Sequence, residues 1–329
     1  FNIPLPVAEY RTVTRINDEV KRIFGRRFSN AEDRKQYRSY GKQNRIVVVS
    51  PFWNAENYIR QNILSVAQQD YDNYVHILVD DASDDNSYEI ARSTIDELPS
   101  DIKSNFKLIR NKENHGCIYN QLAAIRDNTL SDDVIMLLDG DDWLINNNTV
   151  FHYYNDLYNQ GYEFTYGSMK SIADRIELIA QDYPQSVKDA KSYRSHQFNW
   201  IVPYTHLRTF RQNLITDINV NVFKNTDTGE WMKSGADTPL FYELIERADP
   251  KKIYCVKEAM CVYNDLNPLN DYKIRGEEQN KNARTALNYE IKTNKETDIA
   301  KIVEQEQMKK ANTVNKRILI AIPTNKYIE

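Results

Sequence analysis

The chain is poor in glycine and cysteine and has no long apolar run. Nine glycines in 329 residues leave little material for phosphate-binding loops, and neither the phosphate-loop nor the dinucleotide fingerprint is present. Cys117, Cys255 and Cys261 are an odd number of cysteines without metal-ligand spacing, which indicates free thiols. No apolar run approaches the roughly 20 residues that span a bilayer. No secretory signal is visible either, so a cytoplasmic location is the default expectation.

The composition, with 41% hydrophobic and 27% charged residues, is typical of a soluble globular protein. The length fits one large α/β domain with appendages, or two smaller domains. The first residue is Phe1 and not methionine, which suggests an excised fragment or a processed product.

The first 45 residues are basic, with 11 Lys+Arg against 5 Asp+Glu, which leaves a net charge of −10 for the remainder. Apolar residues at helical spacing predict an N-terminal helical extension within residues 8–40. A basic arm can bind nucleic acid, an anionic membrane or an acidic partner, or it can be a solvated face packed on its own domain. The acidic remainder and the lack of a recognised motif argue against nucleic acid.

Short apolar runs alternate with amphipathic stretches between residues 46 and 138. The runs predict strands at 46–49, 75–79, 106–109 and 134–138, and the stretches predict helices that begin near 59, 88 and 118. Such alternation favours an α/β fold with a mostly parallel, Rossmann-like sheet flanked by helices. Further along, the pattern predicts a helix at 151–160 and strands at 163–166 and 253–263.

Three carboxylates follow the fourth predicted strand, at Asp139, Asp141 and Asp142. Carboxylates this close repel one another, so a site that keeps them ionised usually holds a divalent cation. Gly140 would let the backbone turn so that the carboxylates on either side face one ion. Ligands of open α/β sheets also bind at the carboxyl ends of strands. The alternative is an acidic loop that is merely solvated.

Two later stretches combine groups suited to substrate binding. Trp200, His206 and Arg208 bring together flat apolar surfaces and hydrogen-bond donors, which suit a sugar, although aromatic residues at such spacing can equally form core. Asp237 opens a predicted helix, where the helix dipole favours its charge. Its alternative role is that of a helix cap.

The end of the chain changes character. Residues 281–310 are rich in Lys, Glu and Asn and predict a helix or a linker. Residues 317–324 repeat the form of residues 45–52, a basic residue before an apolar run and a proline. We therefore predict a basic extension at 1–44, a main domain at 45–275, a charged helix or linker at 276–316, and the first strand of a second, truncated domain at 317–329. The alternative for the last segment is a strand that pairs with the existing sheet.

Five motifs, in order, make the chain resemble a family 2 nucleotide-sugar glycosyltransferase of the GT-A fold. They are the first strand and loop at 47–56, the acidic segment at 79–85, an Asn-x-Gly at 114–116, a DxD motif at 139–142, and Ala-Asp at 236–237, where the family usually has Glu-Asp. The similarity runs from about residue 45 to residue 275. It implies a GT-A sheet and an inverting transfer of a hexose to an acceptor hydroxyl.

The resemblance also implies a role for individual residues. Asp237 is expected to be the catalytic base, and Asp139, Asp141 and Asp142 are expected to hold Mn²⁺ or Mg²⁺. The expected donor is a UDP-sugar, and the residues implied in binding it are Pro51, Asn54, Glu56, Asp80, Asp81, Asn114, Gly116, Asp139 and Gly140.

The acceptor side is less defined. Trp200, His206 and Arg208 are the expected acceptor-binding residues, and the acceptor itself can be a glycan, a protein or another hydroxyl compound. Two departures from the family pattern bear on the site: Ala236 replaces the acid that usually precedes the base, and Tyr272 stands where a subgroup has a histidine. An inactive sugar- or nucleotide-binding module is therefore one alternative. A nucleic-acid-modifying glycosyltransferase that uses the basic arm is another.

Overall fold

The computed structural model describes residues 42–145, 148–173, 177–196, 198 and 206–287. The predicted helical extension at 8–40, Trp200 and the repeated strand at 317–324 lie outside the described residues. The described residues form an α/β fold around one sheet, as the alternation of apolar runs and amphipathic stretches predicts.

The sheet has nine strands within the described part of the chain. They are β1 (Ile46–Phe52), β2 (Tyr74–Asp80), β3 (Phe106–Arg110), β4 (Val134–Leu137), β5 (Trp143–Leu144), β6 (Phe164–Ser171), β7 (Glu177–Leu178), β8 (Arg208–Arg211) and β9 (Ile253–Tyr263). Their order is β3-β2-β1-β4-β8-β6-β9-β5, with β7 paired to β6. The pairings make β1, β2, β3, β4, β6 and β9 run in one direction, so the sheet is mostly parallel as predicted.

Three strands run the other way, and the sequence pattern did not predict them. β8 lies antiparallel between β4 and β6, and β5 pairs antiparallel with the far end of β9. Arg208 and Arg211 bound β8, and β5 has only two residues, so neither strand shows the continuous apolar run that identifies a buried strand. Together they fold the second half of the chain back over the carboxyl ends of β1 and β4.

The described helices lie on both faces of the sheet. They are α1 (Ile59–Ala67), α2 (Ser87–Asp96), α3 (Ser100–Lys103), α4 (Cys117–Asn128), α5 (Val150–Asn159), α6 (Gln185–Asp189), α7 (Asp237–Arg247), α8 (Asp271–Ile274) and α9 (Gly276–Leu287). Short 3₁₀ turns occur at Tyr193–Ser195, Gln212–Ile215, Val220–Phe223 and Pro250–Lys252. Among the helices that the structure describes, none has the length and apolar character needed to cross a bilayer.

Strand β1 lies between β2 and β4 and is buried along its whole length. Because side chains alternate across a strand, Val47 and Val49 pack in the core that contains α4 and α7, and Ile46 and Val48 pack in the core that contains α5. The sequence predicted a strand that ends at Val49, before Ser50 and Pro51, whereas the structure extends it to Phe52. The extension keeps the parallel ladder with β2 and brings the chain to the acidic turn after β4.

Helix α9, the described part of the predicted charged segment, packs against the main sheet domain. Asn282 Nδ2 donates a hydrogen bond to the carbonyl oxygen of Ser234 at 2.8 Å. Gly235 is so close to the helix that a Cβ atom there would lie 2.9 Å from the Cα of Gln279. The helix therefore supports the loop that leads into α7. All three cysteines are free thiols, as predicted.

Candidate active site

A cavity of about 270 Å³ opens where the carboxyl ends of β1 and β4 meet the first turn of α7. The loop after β9 and the start of α4 complete its wall. Of the residues predicted to form the site, those that line the cavity are Pro51, Asp81, Asn114, Gly116, Asp139, Gly140, Asp141, His206, Arg208 and Asp237. Residues far apart in the sequence thus meet in one place, as expected for strand ends of one sheet.

The acidic turn after β4 is held from below by a buried side chain of α1. Asn62 Nδ2 donates to the carbonyl oxygens of Asp139 and Asp142 at 3.0 and 2.9 Å. Gly140 donates its amide to the carbonyl oxygen of Pro51 at 3.1 Å, and a Cβ at position 140 would lie 2.9 Å from that same oxygen and closer still to Phe52. Glycine is therefore required here because β1 passes too close for a side chain. The sequence analysis expected a different reason for this glycine, namely a turn in the backbone.

Asp142 is almost fully buried beneath this turn, with 1% of its surface exposed. Its Oδ1 accepts the amide of Asn264 at 2.8 Å. Its Oδ2 is buried and has no hydrogen-bond partner within the part of the chain that the structure describes. Burial raises the pKa of Asp142, and the nearby carboxylates of Asp141 and Asp139 raise it further. An unpartnered buried carboxylate oxygen is costly unless a cation or proton satisfies it.

Asp141 and His206 complete the polar end of the cavity. Asp141 Oδ2 accepts from Asn267 Nδ2 at 2.7 Å, and burial raises the pKa of Asp141 to about 6 despite this bond. His206 Nδ1 lies 3.8 Å from Asp139 Oδ2 and 3.9 Å from Asp142 Oδ2. Burial lowers the pKa of His206, as does the neighbouring Arg208, so its imidazole is in the neutral form that binds metals.

One ligand atom from each of Asp139, Asp142 and His206 lies within 4.8 Å of the other two. Two carboxylate oxygens and an imidazole nitrogen are donors that Mn²⁺ accepts, and the two oxygens also suit Mg²⁺. Oδ2 of Asp142, which is buried and has no hydrogen-bond partner among the described residues, lies 3.9 Å from Nδ1 of His206. The residues present therefore fit a divalent cation.

Asp237 is the first residue of α7, as the sequence predicted. The helix begins after Ala236 without a side-chain cap, so capping is not the role of this carboxylate in the structure. Arg208 donates to the carbonyl oxygen of Asp237 at 3.3 Å, and its Nη1 lies 3.7 Å from the Oδ2 of the same residue. The guanidinium is buried, whereas about a third of the Asp237 side chain is exposed to the cavity. This arrangement leaves a carboxylate oriented by a cation and open to a substrate.

Asp80, the last residue of β2, and Asp81, which follows it, have different surroundings. Asp81 lies at the cavity wall, and its two carboxylate oxygens accept from the amides of His115 and Gly116 at 2.9 and 2.8 Å and from Asn111 Nδ2 at 2.9 Å. Asp80 is fully buried, and its carboxylate pairs with Arg110 at 3.1 Å. Of the two, only Asp81 is among the described residues that line the cavity.

Asn54 and Glu56 lie outside the described cavity lining and connect two loops of the sheet edge. Asn54 Oδ1 accepts the amide of Asp84 at 2.9 Å, and Glu56 Oε2 accepts from Asn86 at 3.1 and 3.2 Å. They fasten the loop after β1 to the loop after β2. Asn114, in contrast, is held at the rim, where Lys233 Nζ donates to its carbonyl oxygen at 2.7 Å.

Three residues to which the sequence analysis assigned no role shape the site. Asn62 and Asn267 hold the acidic turn from two sides, and the ring of Tyr263 stacks on His206 with the centroids 5.5 Å apart. Asn62 is a polar residue on the apolar face of α1, and a polar residue in that position is a sequence signal for a buried hydrogen bond. The place of Asn267 depends on the path of the loop after β9, for which the sequence offers no pattern.

Comparisons with known proteins agree with this architecture. The model of glycosyl transferase family 2 matches residues 47–218, a little over half of the chain. An uncharacterized glycosyltransferase of Haemophilus influenzae is 38% identical over 104 residues, which are 31% of this chain and 38% of the relative. Glycosyltransferase GlyA of Streptococcus pneumoniae is 33% identical over 104 residues, 31% of this chain and 13% of the relative. The matches thus cover well under two thirds of either relative.

A solved structure shares the fold. Glucosyl-3-phosphoglycerate synthase from Mycobacterium tuberculosis, in complex with Mn²⁺, UDP and phosphoglyceric acid, superposes with a TM-score of 0.51 at 13% identity, covering 75% of this chain and 80% of that one. The fold class and the family resemblance predicted from the sequence are therefore confirmed. The chain belongs to glycosyl transferase family 2.

Proposed function

We propose that this chain transfers a hexose from a UDP-sugar to an acceptor hydroxyl, with a divalent cation bound and with inversion at the anomeric carbon. One observation carries the proposal. Asp139 and His206, which belong to a group of side chains that can hold a cation, line the same cavity as the partly exposed carboxylate of Asp237. The structural neighbour that binds Mn²⁺ and UDP motivates the choice of metal and nucleotide.

The cation group would serve the leaving end of the donor. Asp139 and Asp142 are the carboxylates that would hold Mn²⁺ or Mg²⁺, and Asp141 lies on the same turn. When bound, the cation would neutralise the charge that develops on the nucleoside diphosphate as its bond to the sugar breaks. Asp81, Asn114 and the loop at 51–53 form the neighbouring wall, where the nucleotide would lie.

Asp237 would act on the acceptor. Its carboxylate would take the proton of the acceptor hydroxyl while that oxygen forms a bond to the anomeric carbon and the bond to the diphosphate breaks. Attack from the face opposite the leaving group inverts the anomeric centre. Arg208, buried against Asp237, would orient the carboxylate toward the acceptor. Ala236 leaves this base without the acid that usually precedes it in the family.

The acceptor hydroxyl can belong to several classes of compound. The cavity wall offers His206, Arg208 and the loop after β9, and the acceptor can be a glycan, a protein or another hydroxyl compound. A binding module without transfer activity is the rival function, favoured by one observation, the alanine at position 236.

Substitution of the base separates the two functions. Asp237→Asn keeps the size of the side chain but removes its basicity, so we expect UDP release from a hydrolysed or transferred donor to fall at least about 100-fold, in line with the 10²–10⁴ that general base catalysis supplies. Asp217→Asn, at an exposed position outside the cavity lining, should leave the rate unchanged. Unchanged turnover in Asp237→Asn would refute the assigned base, and no turnover in the unaltered chain would favour the binding module.

A further inference from the structure

Asp271 is a carboxylate of the cavity that has no role in the transfer reaction described so far. It is the first residue of α8, after the loop that follows β9, and it lines the same cavity as Asp237. Its side chain is 40% exposed, and its Oδ1 lies 3.4 Å from Nη1 of Arg275. The carboxylate is therefore held by a cation and remains accessible from the cavity.

The electrostatic surroundings of Asp271 include the assigned base. Partial burial raises the pKa of Asp271 to about 6, Arg275 opposes this shift, and the carboxylates of Asp139 and Asp237 add to it. The carboxyl group is thus ionised at pH 7.5, at a cost in stability. Such a cost is typical of residues that act on a ligand.

A buried hydroxyl beside Asp271 lacks a partner. Ser234 is 2% exposed and also lines the cavity. Its Oγ has no hydrogen-bond partner among the described residues, although the hydroxyl lies close enough to Asp271 to lower the pKa of that carboxyl group. An unpartnered buried hydroxyl is costly. A ligand hydroxyl between Ser234 and Asp271 would satisfy both groups.

Exposed apolar side chains accompany this polar pair. Six large apolar side chains are exposed in the described part of the chain, and four of them are Leu266, Leu269, Tyr272 and Ile274. Leu269 and Tyr272 also line the cavity. Exposed apolar surface that borders a cavity marks a binding site. A carboxylate beside such surface suits a sugar ring, whose hydroxyls form hydrogen bonds while its C–H face packs on apolar side chains.

The charge of the cavity favours an uncharged acceptor. The carboxylates that line it in the described part of the chain are Asp81, Asp139, Asp141, Asp237 and Asp271. The lysine and arginine side chains of the lining each have a partner: Arg208 lies beside Asp237, Lys233 donates to the carbonyl oxygen of Asn114 at 2.7 Å, and Arg275 lies beside Asp271. An acceptor with a carboxylate or phosphate would therefore meet like charges, and the basic side chains of the described lining are already engaged.

We propose that the acceptor is a neutral sugar and that Asp271 binds its hydroxyls beside the base Asp237. This assignment rests on the proposed transfer function and narrows its acceptor to an uncharged sugar ring. The Asp271 carboxylate accepts hydrogen bonds from the ring hydroxyls, Leu269 and Tyr272 contact the C–H face, and a neighbouring hydroxyl of the ring points to Asp237. Asp271 is thus an acceptor-binding residue outside the five sequence motifs.

Saturation-transfer difference NMR tests the acceptor class without requiring turnover. The chain is loaded with Mn²⁺ and UDP, and methyl glucoside and methyl galactoside are compared with methyl glucuronide and methyl galacturonide. Each pair differs only in a carboxylate that replaces the hydroxymethyl group. We expect saturation of the ring protons of at least one neutral glycoside, and a dissociation constant at least about tenfold higher for its charged counterpart.

Substitution of Asp271 tests the residue and gives a change in selectivity that a purely structural role would not produce. In Asp271→Ala we expect the dissociation constant of the neutral glycoside to rise at least about tenfold and that of its charged counterpart to fall, because the released Arg275 can pair with the ligand carboxylate. Asp271→Glu, which keeps the charge, should still prefer the neutral glycoside. Asp217→Asn, at an exposed position outside the cavity lining, should leave both constants unchanged.

Circular dichroism and thermal melting show which variants are folded. Asp271→Asn, which removes the charge at nearly constant size, takes the place of Asp271→Ala if that variant does not fold. A structural role alone would weaken the binding of both ligands together.

The outcomes separate this assignment from the proposed function. Absence of binding of both neutral glycosides to a folded chain that binds UDP, tighter binding of the charged ligands, or an unchanged preference in Asp271→Ala would each overturn the assignment. UDP release from the donor without an acceptor should change less than about twofold in Asp271→Ala. A larger fall would place Asp271 on the donor and would also overturn the assignment. Failure of the unaltered chain to release UDP from any donor would instead refute the transfer function.

Discussion

A fully buried histidine on an inner strand of the sheet makes the stability of this protein sensitive to acid. His76 lies on β2 between β1 and β3 and has no exposed surface. Its Nε2 shares a hydrogen bond with Ser50 Oγ at 2.9 Å, its ring packs on Phe106, and its Nδ1 has no partner among the described residues. Burial lowers the pKa of His76 from 6.5 to about 3, so the folded protein holds it neutral.

The size of the effect follows from that difference in pKa. Below pH 6.5 the unfolded chain binds a proton at this histidine that the folded protein does not bind. Stability is therefore fully present above pH 6.5 and is lost as the pH falls toward 3, by about 1.4 kcal/mol for each pH unit. By pH 4.5 the loss amounts to about 3 kcal/mol, a large part of the roughly 5–15 kcal/mol that stabilises a typical domain.

Urea unfolding at pH 7.5, 6.0 and 5.0 tests this prediction in His76→Gln and in the unaltered chain. The glutamine can still bond to Ser50 but does not titrate, so the variant should lose less stability between pH 6.0 and 5.0, by about 1 kcal/mol. His196→Gln, at a half-buried position outside the strands, is the control for loss of a histidine. Equal pH dependence in His76→Gln and the unaltered chain would refute the reasoning.

Two further substitutions probe the cavity wall. Gly140→Ala should lower the free energy of unfolding by about 1–3 kcal/mol in urea titrations, because its Cβ would press on the backbone of Pro51 and Phe52; Gly276→Ala, in open space, should show no such loss. Asp271→Asn should raise the melting temperature at pH 8 but not at pH 4, because burial raises the pKa of Asp271 to about 6 and its ionised form therefore destabilises the folded protein as the pH rises. An equal shift at both pH values would contradict that explanation.

The first half of the fold could be predicted because each of its strands has a recognisable local sequence pattern. β1, β2 and β4 are short apolar runs that lie buried in the sheet and end in polar turns, so their positions and their parallel arrangement follow from pattern alone. β8 could not be predicted in this way, because its arginines bond across the structure. Arg211 donates to the carbonyl oxygen of Asp132 at 2.7 Å, and Arg208 points into the cavity. The position of β8 therefore depends on contacts with residues that are distant in the sequence.

The candidate site was predictable to a similar extent. Asp139, Asp141 and Asp237 stand at strand or helix ends within recognisable motifs, and the structure places all three at one cavity. His206 was predicted to contact an acceptor because it stands near aromatic residues in the sequence. Its position beside Asp142, 64 residues earlier in the chain, depends on the antiparallel return of β8, which no local pattern reveals.

The central claim is that a cation and a nucleotide sugar meet in this cavity and that the donor bond is broken there. The most direct test incubates the chain with a panel of UDP- and GDP-sugars in Mn²⁺ and measures the released nucleoside diphosphate, before and after EDTA is added. We predict release from one UDP-hexose that EDTA abolishes and fresh Mn²⁺ restores. Release that is unaffected by EDTA, or no release from any donor by a folded sample, would contradict the account.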